Sequence, residues 1–194
     1  FHQDTARYIR FHYPTLLLDN LHFEIDEAGK PYYIMSVYQN TISLFGGKTV
    51  TGAIVLDPST GDLTRYALAD VPNWVDVVAE GDLLCEQYNW FGTLQNGFMN
   101  SLVGKKGCKR VTTYETDDND ETDDNDENDD VPVSDYGYVS KNGDIWIYTG
   151  VTSVNGDSSN IGFLLANERT GEAHYYNIAG ADEKSAMSAA EGEV

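Results

Sequence analysis

Short β-branched and aromatic runs, each broken by a glycine turn, mark out the strands of this chain. Phe23-Glu-Ile25 runs into Asp26-Glu-Ala-Gly29 and returns as Tyr32-Tyr-Ile34. Gly137-Tyr-Val139 does the same through Asn142-Gly143, a strong tight-hairpin pair, and returns as Ile145-Trp-Ile-Tyr148. Gly52-Ala-Ile-Val-Leu56 and Leu63-Thr-Arg-Tyr66 flank Asp57-Pro-Ser-Thr-Gly61-Asp62. Gly162-Phe-Leu-Leu-Ala166 and Ala173-His-Tyr-Tyr176 flank Asn167-Glu-Arg-Thr-Gly171-Glu172. Pro58 presets φ for a type I turn, and Gly61 and Gly171 supply the left-handed residue that closes each loop. Runs of this length bounded by such turns predict strands and hairpins.

The last two hairpins match each other without a gap at an offset of 110 residues, and the first two match with a small shift. Each set reads as strand, tight turn, strand, long loop, strand, Thr-Gly turn, strand. The expected fold is therefore α+β: two repeated antiparallel four-stranded meander units with flanking helices. The divisions are a first unit with its following helices over 1–114, an acidic loop over 115–130, and a second unit with a C-terminal helix over 131–194.

Helical spacing falls around the meanders. Asp4–Phe11 predicts a first helix, stopped before Pro14. Asp70-Val-Pro72 reads as a helix start, with Asp70 as cap and Pro72 in the first turn. Leu83, Leu84, Gln87, Tyr88, Phe91, Leu94, Phe98 and Leu102 recur at three and four, which predicts a helix over 83–103. Asp182–Glu191 reads as a helix at the equivalent place after the second meander. The aromatic cluster Trp74, Tyr88, Trp90 and Phe91 has helical spacing and is read as core.

Charge narrows the function classes. The chain has 194 residues, with 32 acidic and 12 basic side chains and a formal net charge of −20. Glu115–Asp130 holds 11 of those acids and no base, which leaves −9 elsewhere. That balance argues against nucleic acid, whose affinity comes from neutralised phosphates, and against anionic headgroups. The acidic stretch repeats Thr-Asp-Asn-rich units with no apolar side chain, so nothing offsets the entropy of ordering it. It is read as a solvated loop. Low-affinity calcium binding is the alternative, although the glycine an EF-hand loop requires is missing. No apolar run approaches the roughly 20 residues of a membrane helix. The chain opens on Phe1 and is read as a piece whose targeting signals lie elsewhere.

Candidate chemistry is sparse. Cys85 and Cys108 are the two cysteines. On one straight helix they would lie roughly 30 Å apart, so a bridge would need a break near Gly92 or Gly97. The histidines are His2, His12, His22 and His174; none sits in a zinc-binding spacing, although His12 and His22 flank a turn and could meet. Phe45-Gly-Gly-Lys48 only superficially resembles a phosphate loop, because no helix follows it. No cofactor, metal or catalytic residue is assigned. The two long loops, Gln39–Thr51 and Thr149–Asn160, are the expected binding surface, because loops on a rigid sheet carry function. The second offers Ser153, Asn155, Asp157, Ser158 and Asn160 as hydrogen-bonding candidates.

The hairpins around Asp57-Pro-Ser-Thr-Gly-Asp62 and Asn167-Glu-Arg-Thr-Gly-Glu172 resemble those of PepSY-type domains. Over most of its length the text also resembles an uncharacterised family of bacterial membrane-anchored envelope proteins, through Thr5-Ala-Arg7, Leu44-Phe-Gly-Gly47, Pro72-Asn-Trp-Val-Asp76 and Thr149-Gly-Val-Thr-Ser-Val-Asn-Gly-Asp157. The resemblance implies an extracytoplasmic, non-catalytic module, tethered to the membrane by segments outside this sequence, that binds another envelope protein or a protease. It carries over no functional residue, and the extra strand per unit departs from PepSY. The expected function is a binding or scaffold module, with no nucleic-acid partner and no membrane insertion within the segment. A hydrolase using carboxylates near the 149–160 loop is the alternative.

Overall fold

The computed structural model describes residues 4–41, 47–114, 133–154 and 159–181. Its class is α+β, with two main antiparallel sheets and few helices. Helix α1 (Thr5–His12) is capped by Asp4, whose carboxylate accepts the Arg7 amide at 3.2 Å, and its one fully buried side chain is Ile9. Strands β1 (Leu17–Ile25), β2 (Pro31–Asn40), β3 (Lys48–Leu56) and β4 (Leu63–Ala67) follow as a simple meander. An irregular stretch over 71–80 leads to α2 (Gly81–Leu94) and α3 (Phe98–Val103).

Strands β5 (Lys109–Val111), β6 (Thr113–Tyr114), β7 (Val133–Ser134), β8 (Gly137–Lys141) and β9 (Asp144–Ser153) come next. The chain then forms β10 (Ser159–Asn160), β11 (Gly162–Asn167), β12 (Ala173–Tyr176) and β13 (Gly180–Ala181). The second sheet runs β12-β11-β9, and the other edge of β9 is shared. β8 pairs with its first half and β5 with its last residues. Residues 109–111 thus join the second sheet, although the sequence places them with the first unit. β6 pairs with β7, and β10 with β13.

Register agrees between the sheets. Ala53↔Tyr66 through Leu56↔Leu63 in β3–β4 corresponds, 110 residues on, to Phe163↔Tyr176 through Ala166↔Ala173 in β11–β12. The turns close with the same bonds. The Asp57 and Asn167 side chains accept the Ser59 and Arg169 amides, at 2.8 and 2.9 Å. The Gly61 and Gly171 amides donate to the Asp57 and Asn167 carbonyls, with φ of 82° and 73°.

Each sheet presents one face to a common core. From the first sheet come Ile34, Tyr38, Ala53 and Val55; from the second, Ile147, Val151, Leu164 and Ala166. Between them lie Val71, Val75, Val78 and Ala79, with Leu83, Leu84, Cys85 and Tyr88 of α2. The opposite face of the first sheet (Met35, Val37, Ile54, Leu56) packs on Ile9 of α1. In the second sheet the 110-residue counterparts of Ile54 and Leu56, namely Leu164 and Ala166, face the common core instead. Its outer face leaves Tyr148, Phe163 and Tyr176 partly exposed.

Several expectations change. The 70–76 stretch is not a helix start; Asp70 ends a 3-10 turn over Leu68–Asp70, and the backbone amides beyond it bond to distant groups. The helix expected over 83–103 divides at Gly97, whose φ is 91°. Even so, both thiols are free, and both are buried. Cys108 Sγ donates to the Thr93 carbonyl at 3.4 Å. The aromatic cluster also divides: Tyr88 meets Phe91 and stacks on Tyr175, whereas Trp74 stacks on Tyr32. The helix expected over 182–191 and the acidic stretch 115–130 lie outside the described residues.

Candidate functional site

The loops expected to bind are mostly strand. β2 and β3 pair as far as Asn40↔Lys48, so their connection spans only 41–47. β9 runs to Ser153, which pairs with Lys109. Asn160 lies in β10, opposite Gly180, and is 4% exposed. The alternating Thr, Val and Ser of 149–153 favour a strand, and the pairing with β5 and β11 fixes it. Asn155, Asp157 and Ser158 lie outside the described residues. Ser153 and Asn160 are held by strand pairing, Ser153 opposite Lys109 and Asn160 opposite Gly180.

A different constellation gathers where the two sheets meet the 71–80 stretch. Residues 76–79 have few bonds of their own and are clamped from both sides. From the first sheet, the Glu24 carboxylate accepts the Asp76 amide at 2.9 Å and the Val77 amide at 3.1 Å. Ser36 Oγ donates to the Val78 carbonyl at 2.7 Å. From the second, the Glu168 carbonyl accepts the Val78 and Ala79 amides at 2.9 and 2.7 Å. All four amides of 76–79, and the Val78 carbonyl, thus find partners, as burial demands.

A cleft of about 280 Å³ opens beside this clamp, lined by Asn20, His22, Val77, Glu80, Asp82, Tyr136, Tyr138 and Glu168, among others. It adjoins a shallower apolar depression of about 420 Å³ that shares Val77, Tyr138 and Glu168. A bulge in β1 at Asn20, with φ of 53°, re-aims the strand so that His22 faces the cleft. His22 bonds the Asn20 carbonyl through Nδ1 at 3.1 Å and Glu24 through Nε2 at 2.9 Å. The Asn20 carbonyl and the Glu24 carboxylate both accept, so the protonated ring, donating from both nitrogens, satisfies both bonds. Burial favours the neutral ring, but Glu24 and the Asn20 carbonyl outweigh it and raise the His22 pKa above its ordinary value.

The remaining acids are in a different state. Glu168 is 2% exposed. Burial pushes its carboxyl up to about 7, with the charges of Glu80 and Asp76 adding to the effect. The Gly81 amide and His22 pull it the other way. Burial, then neighbouring acids, also raise Glu80 and Asp76 above the ordinary carboxylate range. Among the described residues no cation lies within ion-pair distance of Glu80 or Glu168. Other acids are committed elsewhere. Asp57 pairs with Lys30, and Asp144 with Arg169, each at 2.5 Å. Asp144 is desolvated, yet Arg169 and Asn167 still hold its carboxyl below the ordinary value.

The cleft therefore offers carboxyls, phenols and an imidazole already bonded on both nitrogens. Among the described residues no group of three or more His, Cys, Asp or Glu side chains is placed to hold a metal. His12 and His22 do not meet: His12 bonds the Tyr8 carbonyl. His174 bonds Glu172 and stacks on Trp146. Glu168 escaped notice because it occupies a turn position, where a charged residue reads as solvated. Its one sequence signal is the mismatch with Pro58 at the 110-residue offset.

Comparison with family models, with curated proteins and with solved structures returns no match to this chain. Among the described residues, no helix is long and apolar enough to cross a membrane.

Proposed function

We propose that this chain is a non-catalytic binding module of a bacterial envelope protein. In this reading it works outside the cytoplasm and takes a cationic side chain of a protein partner in the cleft between its two sheets. The observation that carries the reading is the state of Glu80 and Glu168. Both are desolvated and raised above the ordinary carboxylate range, His22 offsets this only in part, and among the described residues neither has a counter-charge within ion-pair distance. A lysine or arginine entering the cleft would supply that charge where water is partly excluded, and there a charge-assisted bond is strong. Tyr136 and Tyr138 would flank its apolar stem.

The module is further read as a duplication of one helix-plus-meander unit. The shared registers and turn bonds support this, and so does the placing of the helices. α1 covers the Ile54 and Leu56 face of the first sheet, and α2 with its leading segment covers the corresponding Leu164 and Ala166 face of the second. The units would then stack front to back. The PepSY likeness rests on the turn motifs alone, and the extracytoplasmic site on those motifs and the wider sequence resemblance.

Affinity capture from bacterial envelope extract tests the reading, using the wild type and Glu80→Gln/Asp82→Asn. A partner retained by the wild type and lost by the variant supports it. Equal capture by both, or none by either, overturns it. One observation favours a second reading, a hydrolase. A carboxyl titrating near 7 in a cleft suits a general acid. Turnover of ester, glycoside or peptide substrates at neutral pH, abolished by Glu168→Gln, would establish that reading instead.

A further inference from the structure

The outer face of the second sheet is open where the matching face of the first is closed. Residues paired across antiparallel strands share a face. In the first sheet Val55 pairs with Ile34, and Ala53 with Tyr66. In the second, Leu165 pairs with Tyr148, and Phe163 with Tyr176. Ala53, Val55 and Tyr66 lie 110 residues before Phe163, Leu165 and Tyr176. The first set is covered: Ile34, Ala53 and Val55 are buried in the common core, and Tyr66 packs against it. The second is open. Tyr148 is 49% exposed, Phe163 37% and Tyr176 44%, and Leu165 is half-buried. An antiparallel sheet that faces water normally turns polar side chains outward. Here they are aromatic rings.

What covers the first face is the chain that follows its last strand. Val71, Val75, Val78 and Ala79, a few residues beyond β4, pack in the core that this face borders, and Ser36 Oγ donates to the Val78 carbonyl. The chain that follows β12 is led to the open face. Gly150 lies two residues from Tyr148 on β9 and so shares its face. A Cβ on Gly150 would meet Asn160 Oδ1 at 2.7 Å, and one on Gly180 would lie 3.5 Å from the Phe163 ring. The β10–β13 ladder thus lies against this face, and the described residues end at Ala181, one residue beyond the contact with Phe163.

We propose that residues 182–194 dock on the outer face of the second sheet, as 71–79 cover the matching face of the first. The reach suffices. From β12 to β8 the face is roughly 14 Å wide at the usual strand spacing. The 13 residues of 182–194 span about 20 Å even at helical rise. Composition selects this stretch. Ala186, Met187, Ala190 and Val194 recur on one side at helical spacing. The tract 115–130 has no apolar side chain, and 42–46 is tied to the first sheet by the Thr41 amide on the Gly47 carbonyl at 2.8 Å. Charge does not choose between them, because 182–194 carries four acids and one lysine and 115–130 carries 11 acids. Their mutual repulsion opposes the contact and is screened beyond about 8 Å at physiological salt. The inference is independent of what enters the cleft.

Spin labelling of the full chain at physiological salt tests it. Cys85 and Cys108 are buried, so a nitroxide on Ser188→Cys labels that position alone. The expected result is loss of the amide NMR signals of Val139, Tyr148 and Leu165, which return when the nitroxide is reduced. Met35, on the far face of the first sheet, keeps its signal. Adding Ala186→Asp/Ala190→Asp to the labelled chain alters no described residue and is expected to restore the three signals. Undiminished signals in the labelled chain overturn the proposal. So does a loss that the added substitutions leave in place. Loss in isotope-labelled chains that carry no nitroxide, when mixed with chains that do, would give the face to a second copy and would overturn it too.

Discussion

Replacing Glu168 by Gln should remove most of the pH dependence of stability near neutrality. The carboxyl rises from an ordinary 4.5 to about 7 in the folded chain. That shift of roughly 2.5 units corresponds to about 3 kcal/mol at 1.36 kcal/mol per unit. The folded state holds its proton more tightly than the unfolded one, so stability falls as pH rises. The contribution is complete below about pH 4.5, declines between there and about pH 7, and is absent above. His22, Asp76 and Glu80 are also raised, and they tilt the curve the same way. Asp19, Asp57 and Asp144 are lowered; what they contribute is present above their ordinary values and is lost as acid protonates them. Stability should therefore peak in mild acid. Gln keeps an acceptor for the Gly81 amide and cannot ionise. Near pH 8 the variant should exceed the wild type by about 3 kcal/mol, or about 6–12 °C in midpoint, and near pH 4.5 the two should converge. Urea unfolding at a series of pH values measures this. Parallel decline of the two proteins from mild acid to pH 8 would refute the burial argument.

Other expectations follow from close contacts. A Cβ on Gly52 would sit 2.0 Å from the Tyr66 carbonyl oxygen, and one on Gly162 would sit 2.5 Å from that of Tyr176. Gly52→Ala and Gly162→Ala should each cost at least about 2 kcal/mol in thermal melts, and similar losses would match their equivalent registers. Asp144→Ala strands a mostly buried Arg169 and should cost about 2 kcal/mol, between the surface and buried ion-pair ranges, by chemical denaturation. Neither thiol should react with a disulfide reagent in the native protein, and both should react in denaturant. Burial pushes Cys85 up to about 12, and Cys108 is 1% exposed.

The meanders were legible because their information is local. Alternation, Asn142-Gly143 and the paired Thr-Gly turns each specify a hairpin over a few residues, and Asp4 announces α1. The 71–80 stretch was misread because its amides are satisfied by Glu24 and Glu168, far away in sequence. Its Asp and Pro mimic a helix start with no helix behind them. β5 was missed because a three-residue strand has no period; it exists through its pairing with β9. The cleft was illegible for the same reason. His22, Glu80 and Glu168 come from three separate stretches, and only the packing of one sheet over the other brings them together.

The short ladder of Thr113–Tyr114 with Val133–Ser134 has a consequence of its own. It holds side by side the two points at which the aspartate-rich sequence joins the described fold. With both ends fixed together, each doubling of the number of residues between them is expected to cost about 0.6 kcal/mol of loop-closure entropy. Insertions between Tyr114 and Val133 should therefore shift the unfolding free energy by no more than that, as chemical denaturation would show.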